Sequence, residues 1–213
     1  MKYEVVLFDF DGTLADSEQL SLDIMNALAP EFGYAPITPD EIPKLKRMSA
    51  WQLLDQRSGI PLWNFAKIRR LEKRVREEFQ TRSKMIKLFP GISGLLRGLR
   101  EAGYRIGVVS SNAENIVEHV LQGGGVKIDF IHAGSRFFGK ARALRATLKE
   151  YSLHRSHVIY IGDELRDIDA CRKVGVDMIA VGWGFNAPDA LQSAGARVAA
   201  TPEELLSILT TNP

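Results

Sequence analysis

Two aspartates spaced one residue apart, Asp9 and Asp11, follow the apolar run VVLF and precede Gly12 and Thr13. Carboxylates held this close repel each other unless a cation or a shared proton compensates them. Paired acids in such a place can act as a nucleophile and a proton-transfer group, and can hold a divalent metal through oxygen. Two ordinary alternatives compete with that chemistry. One is a structural Asp-Gly turn. The other is a calcium loop opening D-x-D-G, which spacing excludes: it requires Gly at its sixth position and Glu at its twelfth, where this chain has Leu14 and Leu20.

Further chemistry-bearing residues follow later apolar runs. GVVSSN delivers Ser110, Ser111 and Asn112; SRFFGKARAL delivers Lys140 at an expected helix start; VIYIGDELRD delivers Asp163, Glu164 and Asp167. Taken singly, these read as a helix cap, a surface lysine and a turn. Taken together, they put acids, hydroxyls and a lysine at successive strand ends of one sheet, where open α/β folds build their sites.

The elements that must position them are short apolar runs, YEVVLF, YRIGVVS, DFIHAG, HVIYIG and DMIAVGW, with helix-like stretches between the later ones, several closed by Gly. Such alternation predicts a doubly wound, Rossmann-like α/β core with a parallel sheet covered on both faces. Residues 17–84 break the rhythm. They show no strand pattern but several helix signatures: Leu20, Ile24, Ala27 and Leu28 on one face; Thr38, Pro39 and Glu41 as a helix start; Ser49 with Gln52 as a capping box; and Phe65, Ile68, Val75 and Phe79 at helical spacing. The expected organisation is a core formed by 1–16 and 85–213 with an inserted all-helical cap over 17–84. Leaving from the end of the first strand, the cap is placed to close over a substrate.

At 213 residues, 45% hydrophobic and 25% charged, the chain has a globular composition, and a net charge of +2 gives no footprint for nucleic acid or a membrane surface. The basic stretch KIRRLEKRVREEFQTRSK pairs internally, Glu72 with Arg76, Lys73 with Glu77 and Arg74 with Glu78, as a solvated helix face does. Cys171 is the single cysteine, so neither an intramolecular disulfide nor a cysteine zinc cage can form. The N-terminus turns acidic too early for a signal peptide and no run is long enough to span a membrane, so a cytoplasmic location is expected. Oligomeric state has no signature.

In order and spacing, DFDGTLADS, SSN, Lys140 and GDELRD resemble the four motifs of the haloacid dehalogenase (HAD) superfamily, with FPGI, DIDACRKVG and VGWGF also similar to its phosphoglycolate phosphatase-like hydrolases. The resemblance covers nearly the whole chain. It implies a phosphatase acting on a small phosphorylated metabolite, with Asp9 as nucleophile and Asp11 as general acid and then base. Magnesium would be held by the carboxylates of Asp9 and Asp163 and the backbone carbonyl of Asp11, with Asp167 supporting from behind. Ser110, with the backbone amides around Ser111 and Asn112, would hold phosphoryl oxygens, and Lys140 would offset negative charge.

Departures from family patterns narrow the chemistry. Asp11 is present, whereas dehalogenases and phosphonatases lack that second acid. Ser21 stands where mutases of the β-phosphoglucomutase type carry a cap histidine. Ala141 follows Lys140 where relatives usually have proline. Two alternatives remain: a phosphotransferase or phosphomutase passing phosphate to an acceptor other than water, and a non-catalytic HAD-like binding module. Arg47, Ser49 and Trp51 occupy the segment where relatives face substrate.

Overall fold

The computed structural model describes residues 2–61, 63–134 and 139–211; the SRFF stretch ahead of Lys140 lies outside them. The core strands are β1 (Val5–Phe8), β4 (Arg105–Val109), β5 (Phe130–His132), β6 (Val158–Gly162), β7 (Asp177–Val181) and β8 (Arg197–Ala199). They form one sheet in the order β5-β4-β1-β6-β7-β8, every neighbouring pair parallel. All four residues of β1 are buried, as expected of a central strand covered on both faces. The chain winds outward from β1 through β4 to β5, then crosses to β6 on the other side of β1. The strand order therefore reverses at β1, and the crevice beyond its carboxyl end is the ligand position of open α/β sheets.

The core helices are α5 (Ile92–Glu101), α6 (Glu114–Gly123), α7 (Lys140–Glu150), α8 (Leu165–Val174), α9 (Pro188–Ser193) and α10 (Pro202–Thr211). Their apolar stripes bury Leu95, Leu96 and Leu99, Ile116 and Val120, and Ala143 and Leu144 against the sheet. Gly175 ends α8 in the left-handed conformation, φ 77°.

Between β1 and β4 a two-stranded antiparallel ribbon, β2 (Ala15–Asp16) with β3 (Lys87–Leu88), brings the departing and returning chain together, Ala15 opposite Leu88. The segment between them is helical: α1 (Glu18–Phe32), α2 (Ile42–Leu45), α3 (Ala50–Gln52) running into a π-turn over Leu53–Arg57, and α4 (Phe65–Arg82). On α1, Leu20, Ile24 and Leu28 are buried, but Ala29 rather than Ala27 completes the stripe, Ala27 being exposed. They join Ile68, Leu71 and Phe79 of α4 in one apolar cluster, while Phe65 is 66% exposed. Ser49 and Gln52 form the expected capping box. Thr38 receives only its partner's half of one: Glu41 accepts from the Thr38 amide at 2.9 Å, and helix begins later, at Ile42. Lys73–Glu77 (3.8 Å) and Arg74–Glu78 (3.5 Å) pair along α4, and Arg70 and Arg74 reach across to Glu31 of α1. Among the described residues no helix is long and apolar enough to cross a membrane.

Candidate active site

Five acids and two cations converge at the carboxyl edge of the sheet. Asp9 is the first residue past β1; its amide donates to the Ile161 carbonyl (2.8 Å) and its Oδ1 accepts from the Phe10 amide (2.8 Å), so the carboxylate is fixed at both ends. Its Oδ2 lies 2.5 Å from Lys140 Nζ. Lys140 is the first residue of α7 and is 8% exposed. It also meets Asp167 Oδ1 at 3.0 Å and donates to the Tyr160 hydroxyl at 3.0 Å. The start of α7 thus carries the amine to Asp9 with Ala141 behind it.

After Asp9 the chain folds back on itself, with the Leu14 and Ala15 amides both donating to the Phe10 carbonyl at 2.9 Å and Gly12 at φ 73°. The turn leaves Asp11 between two donors: Ser17 Oγ to Oδ1 (2.9 Å) and Asn112 Nδ2 to Oδ2 (2.7 Å). Asp163 follows β6 and accepts from the Thr13 hydroxyl (2.8 Å) and the Phe185 amide (2.7 Å). Gly12 and Gly184 press against it so closely that a Cβ on either would overlap its carboxylate. Asp167, in the first turn of α8, accepts from the Glu164 amide (3.1 Å) through Oδ2. Beyond β4, Ser110 Oγ accepts from the Asn112 amide at 3.0 Å, so that amide is turned toward Ser110, while Ser111 borders the adjoining cavity.

Burial dominates the electrostatics. It holds a proton on Asp11 up to about 6, reinforced by the neighbouring charge of Asp9 and opposed by the Ser17 hydrogen bond. Burial, then the charges of Glu164 and Asp9, push Asp163 well above the usual carboxylate range. Asp167 rises to about 6 for the same first reason, against the pull of Lys140. Burial works against the Lys140 charge, but Asp167 and Asp9 outweigh it and hold the ammonium charged.

Carboxylate oxygens of Asp9, Asp163 and Asp167 lie within 4.8 Å of one another. Asp9 Oδ2 and Asp167 Oδ1 are buried with no hydrogen-bond donor other than the ion-paired Lys140 ammonium. An all-oxygen donor set with more negative charge than Lys140 and Arg166 neutralise is the setting a hard divalent cation such as magnesium suits.

Residues 6–181 match the family model described as haloacid dehalogenase-like hydrolase. The chain belongs to that family. It is 36% identical over 210 residues to a phosphoglycolate phosphatase of Synechococcus elongatus, covering 97% of both proteins. A protein of Mycobacterium tuberculosis named tyrosine-protein kinase PtkA is 28% identical, over 97% of this chain and 72% of that one. Among solved structures, a haloacid dehalogenase-like family hydrolase of Streptococcus pneumoniae superposes with TM-score 0.77 at 19% identity, over 98% of this chain and 99% of that one, which is a likeness of fold. The chain is a HAD-family enzyme of the phosphatase type, with the α/β core that the alternation of apolar runs and helices implied.

Several residues of this HAD site escaped the sequence reading. Thr13 holds Asp163 and Tyr160 holds Lys140 across the fold, Ser17 holds Asp11 within its own loop, and Asn186 ties Leu165 to Lys46 and Met48; partners chosen by folding leave no local pattern. Arg166 had a signal: it lies inside GDELRD, pairs with Glu164 at 2.6 Å and borders the cavity beside Asp163. Phe185 borders the same cavity, whereas Trp183 donates its indole N–H to the Thr13 carbonyl at 3.0 Å. Among the described residues, none of Arg47, Ser49 and Trp51 borders it: Arg47 pairs with Asp189 at 3.0 Å, and Ser49 and Trp51 line a separate space of about 80 Å³ on the other side of Arg166.

Proposed function

We propose that the chain is a magnesium-dependent phosphatase that hydrolyses a small organic phosphomonoester through an aspartyl-phosphate on Asp9. The observation that carries this reading is the pairing of a fixed, lysine-bound carboxylate, Asp9, with a second acid, Asp11, whose proton is held up to about 6. In the first step an Asp9 oxygen bonds to phosphorus, the bond to the leaving oxygen breaks, and Asp11 gives that oxygen its proton. In the second, Asp11 takes a proton from water, the water oxygen bonds to phosphorus and the bond to Asp9 breaks, releasing inorganic phosphate. Lys140, with Ser110 and the Ser111 backbone amide, balances charge on the phosphoryl oxygens, while the Asn112 amide holds Ser110 in place. The carboxylates of Asp9 and Asp163 and the Asp11 carbonyl would hold the magnesium, backed by Asp167. When bound, it supplies Lewis-acid charge that favours attack by one anion on another.

The segment 17–84 is read as a cap, and phosphoglycolate, named in the Synechococcus relative, is the reference substrate. The test is phosphate release from a phosphomonoester panel, with and without magnesium, for wild type and Asp9→Asn. Magnesium-dependent release lost in the variant supports the reading. Consumption of ester without inorganic phosphate turns it toward transfer to another acceptor, the activity that the name of the kinase relative carries. Equal inactivity of both proteins across the panel favours a binding role.

A further inference from the structure

A cavity of about 290 Å³ runs from the acids into the helical insertion. One end is polar, formed by Asp11, Ser111, Asn112, Asp163 and Arg166. Past Ser17 and Ser21 the walls become apolar: Leu22 and Met25 of α1, Leu54 of the π-turn, and Ile68, Leu71 and Phe79 of α4. Arg57 borders this part with its Nη2 held by Glu41 (3.0 Å) and the Pro36 carbonyl (2.7 Å) and its buried Nε without a partner, the one such donor on the apolar stretch among the described residues. Glu72 and Arg76, one helical turn apart on α4, are opposite in sign.

We infer that the alcohol portion of the substrate is apolar, an aryl or branched-alkyl group lodged between α1 and α4 while its phosphate lies on the acids. This rests on the phosphatase reading of the same site. A second anion carried past Ser17 and Ser21 would meet leucine, isoleucine and phenylalanine, where burying an unpaired carboxylate is costly, and a two-carbon acid too short to pass them would leave those walls uncovered. An apolar group instead exchanges water for those walls. The volume is that of a small-ligand pocket, larger than a two-carbon acid requires.

The experiment compares kcat/KM for phosphoglycolate, ethyl, butyl and hexyl phosphates and phenyl phosphate, in wild type and in two variants that fill the cavity from its wall, Met25→Trp on α1 and Val75→Trp on α4. The expected result is a rise of up to about fourfold per methylene from ethyl to hexyl, with phenyl phosphate ahead of phosphoglycolate. In whichever variant keeps wild-type turnover of ethyl phosphate, that rise is flattened. A series independent of chain length in wild type, or led by phosphoglycolate, overturns the inference while leaving the phosphatase reading intact. An unchanged rise in a variant that retains ethyl phosphate turnover also overturns it. Absence of magnesium-dependent release from every ester instead brings down the phosphatase reading itself.

Discussion

Asn186 donates its side-chain amide to the backbone carbonyl of Lys46 at 2.8 Å, joining the loop after β7 to the helical insertion. The same amide reaches the Met48 carbonyl (3.0 Å), its Oδ1 accepts from the Leu165 amide at the start of α8 (2.8 Å), and the Ala187 amide adds a bond to Lys46 O (2.8 Å). One buried side chain therefore ties the insertion to the helix that carries Arg166 and Asp167.

Asn186→Ala leaves the Leu165 amide and the Met48 carbonyl without their partner, the Lys46 carbonyl keeping the Ala187 amide, a loss of about 1–3 kcal/mol. The expected outcome is faster limited proteolysis within residues 17–84 and a rise in KM larger than the fall in kcat. Wild-type proteolysis rates in the variant would remove the clasp from the account.

Lys140→Met removes the buried ammonium that Asp9 and Asp167 share. Breaking a buried pair by deleting one partner costs about 3–5 kcal/mol, read from urea unfolding at neutral pH. That deficit should shrink in acid, where the abandoned Asp167 carboxyl is protonated. Turnover should fall by about 10²–10³, as for loss of an electrostatic stabiliser. An equal deficit at all pH values would mean that the lysine acts by packing alone.

Gly184→Ala tests the close approach of the two loops. The added Cβ would lie 2.6 Å from Asp163 Cγ and closer still to Gly12 O, neither of which is a flexible chain end. Overpacking of this kind costs about 1–3 kcal/mol, and displacement of Asp163 should weaken magnesium activation, seen as a higher magnesium concentration for half-maximal rate. Magnesium dependence like that of wild type would show that the loop absorbs the methyl elsewhere.

The acids were legible in the sequence because each ends an apolar run: strand periodicity and a parallel sheet together dictate that Asp9, Ser110 and Asp163 share one edge. The five turns of α4 were legible from Ile68, Val75 and Phe79 for a similar reason. Strands β2, β3 and β8 were not, being only two or three residues long and specified by what they pair with rather than by composition. Tyr160 looked like a core residue of β6, and nothing local marks its hydroxyl as a partner of Lys140. The cavity was equally hidden, since Leu22, Leu54 and Leu71 have the sequence signature of core and differ from it only in facing a space.

The acidic cluster also sets how stability depends on pH and metal. Asp11 and Asp167 titrate near 6 in the folded chain against 3.8 when unfolded, and Asp163 is raised well above the usual carboxylate range. A carboxyl whose folded pKa is raised contributes its full stability below the unfolded pKa and loses it as pH rises through the folded value. Without divalent cation, unfolding free energy should therefore decline from about pH 4 to about pH 6, Asp11 alone accounting for about 2 kcal/mol once its access to solvent is allowed for. Magnesium should restore stability at pH 7.5 and do little at pH 4, where protons already compensate the carboxylates. Asp163→Asn keeps acceptor geometry toward the Phe185 amide and can donate to Thr13 Oγ, so without metal it should be more stable than wild type at pH 7.5, while magnesium should no longer stabilise it as strongly. Urea titrations of both proteins at the two pH values, with and without magnesium, decide this. A wild type that is most stable at pH 7.5 without metal would place the compensating charge elsewhere than in these carboxyls.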